Sequence, residues 1–419
     1  MLSIARLAQC AAVLSLLTMT ACTTPQAGRR LIGNPENPYP RQKAPEIGDI
    51  THLPTGTLVT PKQMFDVVTD ARVVYVGETH DNPAAHRLEL DTLKALEQRY
   101  PGKVAVGMEM FVKSQQPVLD RWVAGELDEK AFLKASRWYD NWKMDFAYYR
   151  DLLLYAKEKR IPVIALNAEK DLVQAVGSKP LEELTPEQKA QLPEMDLTDP
   201  YQRAQTESIF SGHNSHGKIA VDGFIQVQTL WDETMAESAV RYLTSPEGKE
   251  RHLLVVAGGN HISHGFGIPR RVFRRLPTSY ATIGGLEVAV QRAEKPETMD
   301  VEVPNFPNLS FDFLVYYAYE GLPKPAVLLG VMFEPDVKGR GLVVNTVVPN
   351  SNAARAGVQN GDLLLALDNE PLKDSLDLIY GVKQKHEGDK STLKLERNGE
   401  VMNLEVVFKA GEAPKHGKP

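Results

Sequence analysis

Four short runs of consecutive apolar residues, each closed by a glycine or a polar cluster, constrain this chain more than any other feature. Val73-Val74-Tyr75-Val76, Val104-Ala105-Val106, Pro162-Val163-Ile164-Ala165-Leu166 and Leu253-Leu254-Val255-Val256 lack polar alternation, so each reads as a strand buried on both faces. Helical spacing fills the intervals. Leu93, Leu96 and Tyr100 recur at i, i+3 and i+7; Tyr149, Leu152, Leu153 and Ala156 mark a second helix, and Phe224, Val227, Trp231 and Met235 a third. This alternation predicts an α/β fold, a mostly parallel sheet covered by helices on both faces.

At 419 residues the chain is too long for one compact domain. After a Pro-rich bridge, Val303-Pro304-Asn305-Phe306-Pro307, the pattern changes to short strands and Gly-bearing turns, which predicts a separate C-terminal β-rich domain. The expected organisation is a signal peptide over 1–21, a tether over 22–55, the α/β domain over 56–290, a linker over 291–325, the β-rich domain over 326–410 and a tail over 411–419. The segment 177–217, rich in Glu, Gln and Pro, fits the strand-helix alternation least and is expected to be a helical insertion or lid.

The formal net charge of -6, with no Lys/Arg run interleaved with aromatics, excludes nucleic acid as the main partner. Cys10 and Cys22 are the only cysteines, so the folded part has neither a disulfide framework nor a Cys-based zinc site. A metal there would rest on His, Asp, Glu or Tyr. Arg6, the apolar run from Ala11 to Leu17 and the small residues before Cys22 describe an export signal too short to span and stay in a bilayer. Met19-Thr20-Ala21-Cys22 resembles a bacterial lipobox, with Met19 in place of the commoner Leu. That resemblance implies a lipid on Cys22, and Thr23 in place of Asp implies anchoring to the outer membrane, facing the periplasm.

Polar clusters follow each predicted strand: Gly77-Glu78-Thr79-His80, Gly107-Met108-Glu109-Met110-Phe111, Asn167, and Gly258-Gly259-Asn260-His261-Ile262-Ser263-His264. In an open parallel sheet, residues beyond the carboxyl ends of the strands converge on one crevice. Glu78, His80, Glu109 and His261 are therefore candidate metal ligands, two carboxylates and two imidazoles suited to a divalent ion with open positions. Without a metal the same four would serve as catalytic acid and base groups.

The motifs Gly-Glu-Thr-His, Gly-Met-Glu-Met-Phe, the helix Gln228 to Ala236, and Gly259-Asn260-His261 followed by Gly267-Ile268-Pro269 together resemble the ChaN-like haem-binding uptake lipoproteins over most of residues 70 to 285. The resemblance implies a haem-binding, iron-linked envelope lipoprotein. Its wider superfamily includes TIKI-like metalloproteases and erythromycin-esterase-like hydrolases, so a metal-dependent hydrolase acting through the same four residues stays open beside it. Haem needs an axial ligand and cations for its propionates. Tyr148 or Tyr149, in the aromatic stretch Trp138 to Tyr149, and His264 are the candidate ligands or walls, although rings so placed read first as helix core. Arg270, with Arg271, Arg274 and Arg275, is a candidate propionate partner on what otherwise reads as a solvated basic face.

The stretch from about Ala326 to Lys409, above all Asn352 to Leu372, resembles a bacterial PDZ domain. That implies docking of an extended or C-terminal peptide as an added strand, with Leu328-Leu329-Gly330-Val331 as the carboxylate loop and Leu376, Ile379 and Tyr380 on the groove helix. The peptide-binding candidates are Leu329, Gly330, Val331 and Leu376.

Overall fold

The computed structural model describes residues 44–142, 144–212, 221–291, 304–323 and 327–410. Cys22 with its lipobox, the tail 411–419, and His213 and His216, whose setting in Gly212-His213-Asn214-Ser215-His216-Gly217 offers a metal or haem contact in the sequence, lie outside the described residues.

Strand β3 (Val73–Glu78) is buried along its whole length, as its unbroken apolar run requires. Its side chains divide with period two: Val74 and Val76 enter one core, Val73 and Tyr75 the other. Strands β6 (His252–Gly258) and β7 (Tyr280–Gln291) pair with it in parallel on either side. Strand β4 (Val104–Val112) lies beyond β6, and β5 (Val163–Asn167) beyond β4, both in parallel register. The chain therefore runs outward from β3 to β5, then returns to insert β6 between β3 and β4. The carboxyl ends of β3, β6 and β4 consequently stand side by side, with Glu78 in register with Gly258 and Met108 with Val256.

Helices cover both faces. One carries Pro83–Arg99, Gln116–Val123, Glu129–Ala135 and Arg150–Lys159, whose Leu93, Leu96, Leu119, Trp122, Phe132 and Leu153 fill a large core. Each such side chain, once buried, contributes about 1.5–3 kcal/mol. The other face is covered by Val221–Thr244 and Ile268–Arg275 through Met235, Ala239, Ile268 and Val272. Within the segment after 177, Leu181–Glu183, Pro186–Lys189 and Pro200–Gly212 are helical, with a non-helical stretch before Pro200.

Two boundaries differ from those read in the sequence. Strand β8 (Phe313–Glu320), inside the expected linker, adds in parallel to β7, and β1 (Ile50–His52), inside the expected tether, adds antiparallel to β8. Strand β2 (Thr57–Leu58) closes that edge. Three residues are too few to display a strand period, and the Pro-rich approach to β8 concealed the apolar run behind it.

The C-terminal sheet runs in the order β14 (Glu400–Val407), β13 (Lys390–Arg397), β11 (Leu363–Leu367), β10 (Leu342–Val347), β9 (Val331–Pro335), with β12 (Glu370–Pro371) beside β11. Its own core holds Leu329, Leu342, Leu364, Leu378, Leu393 and Phe408. The helix Ser375–Lys383 turns Leu376 and Tyr380 toward the core of the larger domain, while Lys130 and Lys134 both reach Asp377. Leu376 packs at the junction between domains, and the Leu329 side chain packs in the interior of the β-rich domain. Leu328, Met332 and Ile379 are among the exposed apolar side chains of this domain.

Candidate functional site

Glu78 ends β3 with its side chain turned inward and buried. Its Oε1 accepts hydrogen bonds from His80 Nδ1 at 2.8 Å and from the Tyr149 hydroxyl at 3.1 Å. His80 leaves the sheet two residues later, so it follows Glu78 on the same side, and its side chain is 40% exposed. Trp142 stands edge-on to its ring at 5.0 Å. Gly258 lies close in the facing strand end, where a Cβ would stand 3.0 Å from His80 Cε1 and press on that ring.

Two further groups come from the helix Pro83–Arg99. Asn82 caps it, its side chain accepting from the Ala84 amide and donating to the Ala318 carbonyl, which pins the helix start to β8. One turn in, His86 and Glu89 point down between helix and sheet, both buried. His86 Nε2 lies 3.2 Å from Glu78 Oε2, and His86 Nδ1 lies 3.2 Å from Glu89 Oε2.

On the β4 side, Glu109 Oε2 accepts from the Gly258 amide at 2.7 Å, and Glu109 Oε1 lies 3.5 Å from His261 Nε2. Asn167, at the end of β5, donates to the Glu109 carbonyl and so fixes that strand end. His261 Nδ1 meets Asp232 Oδ1 at 2.6 Å, and Gln202 donates to the other Asp232 oxygen. Two carboxylate-imidazole chains therefore adjoin at the sheet end, Glu89–His86–Glu78–His80 and Glu109–His261–Asp232, and His80 is the most exposed of these side chains.

Charges across these groups act in both directions. Burial opposes protonation of His80 and of His261, but Glu78 beside the first, and Glu109 with Asp232 beside the second, outweigh it and hold each near a pKa of about 9. Burial raises Glu78, with Glu89 adding to the rise, and pushes Glu89 itself well above the usual carboxylate range. Burial lowers His86 despite its acidic neighbours.

The four residues chosen from the strand ends, Glu78, His80, Glu109 and His261, thus meet in one crevice as two adjoining pairs. They do not form one compact metal set. Among the described residues the group close enough to share an ion is Glu78, His86 and Glu89, with one donor atom from each within 4.8 Å of the others. His86 and Glu89 were missed. Their sequence signal was an i, i+3 pair in the first turns of the helix after β3, polar positions where the helix faces the sheet.

The candidate haem contacts separate. Tyr149 is fully buried and its hydroxyl is committed to Glu78, so it is part of the floor of the crevice. Tyr148 is half-buried, its ring 5.2 Å from that of His86. His264 holds a left-handed backbone conformation, and its Nδ1 must donate to the Asn308 carbonyl at 2.8 Å, because a carbonyl only accepts. Its ring stacks on Phe266, which stacks on the half-exposed Tyr201, with Phe306 edge-on to all three. The arginines do not form a solvated face. Arg271, Arg274 and Arg275 converge on the buried Glu233, and Arg270 pairs with Asp199.

A family model described as haem-binding uptake, Tiki superfamily, ChaN matches residues 64–272, and a PDZ-domain model matches residues 327–407. The fold is similar to that of a solved structure of ChaN from Campylobacter jejuni, described as showing cofacial heme binding, with a TM-score of 0.50 and 16% identity over 65% of this chain and 97% of that one. Among curated proteins, the periplasmic pH-dependent serine endoprotease DegQ of Escherichia coli is 25% identical over 47% of this chain and 37% of its own length. The periplasmic serine endoprotease DegP of the same organism is 37% identical over 16% of this chain and 14% of its own. The chain spans well under half the length of these relatives.

Proposed function

Since residues 64–272 form a domain of the ChaN family in the Tiki superfamily and residues 327–407 a PDZ domain, we propose that the chain is a haem-binding lipoprotein of the bacterial cell envelope. It serves haem or iron uptake, and its PDZ domain docks an extended or C-terminal peptide of a partner protein. Cys22 carries the lipid that holds it to the outer membrane, facing the periplasm; no helix among the described residues is long and apolar enough to cross a membrane.

The observation that carries the haem reading is the setting of His264. With Nδ1–H fixed on a backbone carbonyl, Nε2 is the ring nitrogen that would meet iron, the arrangement by which ligating imidazoles are usually oriented. The adjoining rings of Tyr201, Phe266 and Phe306 supply an apolar platform. Tyr148 is the second candidate ligand, and Arg270 would exchange Asp199 for a propionate. Bound haem supplies the iron that uptake requires; the chain's own residues orient it and shield it. A haemin titration followed by Soret absorbance tests this. A saturable, shifted band that His264→Ala moves or abolishes supports the reading, and the absence of any saturable band sinks it.

The His261–Asp232 pair favours a second reading, a metal-dependent hydrolase of the TIKI or erythromycin-esterase type with substrate presented by the PDZ domain. A buried carboxylate that fixes an imidazole facing a second carboxylate is the arrangement of an oriented acid-base group. Under it, His80→Ala combined with His261→Ala abolishes chelator-sensitive hydrolysis while haemin binding through His264 survives.

A further inference from the structure

Three buried side chains beneath the crevice make demands that the groups around them do not meet. His86 Nε2 faces Glu78 Oε2 at 3.2 Å and the His80 carbonyl at 3.1 Å, and His86 Nδ1 faces Glu89 Oε2 at 3.2 Å. A neutral imidazole has one N–H. Whichever nitrogen carries it, the other turns a lone pair toward a carboxylate oxygen, a contact that repels unless something positive lies between. Glu78 Oε2 and Glu89 Oε1 are also buried without a hydrogen-bond partner.

The wider charge balance points the same way. Glu78, Glu89, Glu109 and Asp232 are all buried, and among the described residues their ion pairs are with histidines, never with Lys or Arg. A divalent ion held between these side chains would give the buried, unpartnered oxygens of Glu78 and Glu89 a partner.

We propose that Glu78, His86 and Glu89 hold a divalent first-row transition ion beneath the crevice. Two carboxylates and one imidazole suit manganese, iron or zinc. The ion lies too deep to touch a substrate, so its part is positioning: it anchors Glu78, whose other oxygen orients His80 and Tyr149. This inference does not rest on the haem reading, since His264 is not among the ligands.

The test is metal analysis of the full chain as purified, followed by chelation and titration with Mn2+ read by electron paramagnetic resonance and by thermal unfolding. The expected result is one ion per chain and a rise in Tm on reloading. Glu89→Gln and His86→Ala each weaken Mn2+ binding by roughly tenfold or more, while Glu109→Gln and His261→Ala leave it within about twofold. Near-UV circular dichroism confirms that the near-isosteric Glu89→Gln chain is folded. A folded native chain that takes up no stoichiometric Mn2+, Fe2+ or Zn2+ overturns the proposal, for a proton shared between Glu89 and His86 then balances the site. Binding that Glu89→Gln leaves unchanged, or that Glu109→Gln abolishes, overturns it as well. Haemin uptake is measured separately, so failure of one reading is distinguishable from failure of the other.

Discussion

Lys134 Nζ lies 2.7 Å from Asp377 Oδ1, joining the helix Glu129–Ala135 of the larger domain to the groove helix of the PDZ domain. Asp377 is almost fully buried there and takes a second lysine, Lys130, at 3.0 Å, while Lys383 reaches back to Asp145 at 2.6 Å. Burial works against the Asp377 carboxylate, but the hydrogen bonds from Lys134 and Lys130 overcome it and lower its pKa.

The junction is therefore electrostatic at its rim and apolar at Leu376 and Tyr380. Reversing both lysines, Lys130→Glu with Lys134→Glu, should weaken docking by about 1–3 kcal/mol per lost charged hydrogen bond. Small-angle X-ray scattering should then show a larger radius of gyration with both domains still folded. An unchanged scattering profile would contradict a junction held by these pairs.

Stability should fall with alkaline pH. His80 and His261 are each raised to about 9, above the ordinary value of 6.5. Their pairing thus contributes fully below about pH 6.5 and is lost as pH rises through about 9. Thermal unfolding of the native chain should show a declining Tm across that window. His261→Gln should flatten the decline in part, and an equal slope in the variant would show that His261 is not the titrating group.

Tyr149→Phe should leave haemin binding within about twofold and cost about 1 kcal/mol of stability, the usual net worth of one hydrogen bond. Its ring stays packed while only the bond to Glu78 disappears. Loss of the Soret band in this variant would make the buried tyrosine the iron ligand and require the floor of the crevice to open.

The PDZ groove allows a contrast between neighbours. Ile379→Asp, at an exposed position, should abolish binding of a peptide with an apolar C-terminal residue without lowering Tm. Leu329→Ala, in the core, should cost about 2–5 kcal/mol whether or not peptide is present. Fluorescence anisotropy and thermal unfolding separate the two, and peptide binding unaffected by Ile379→Asp would move the groove elsewhere. Gly330 belongs to the same loop, with φ +82° and a Cβ position 2.2 Å from Ser351 Cβ, so only glycine fits its conformation.

What the chain's order of residues determined is the alternation that builds the parallel sheet, and with it the meeting of Glu78, His80, Glu109 and His261. Strand ends converge whenever parallel strands are stacked side by side, so position along the chain was sufficient to gather them. The PDZ pattern was equally local, carried by turns and apolar spacing within one stretch. Partner choice was not local. Arg271, Arg274 and Arg275 read as a surface face until the neighbouring helix brought Glu233 beneath them. His86 and Glu89 showed as ordinary helix polars until β3 set Glu78 against them. The packing of Leu376 against the larger domain was likewise not legible along the chain. Periodicity reports which face a side chain occupies, but the identity of the group it meets depends on packing between distant segments, and only the tertiary structure decides that.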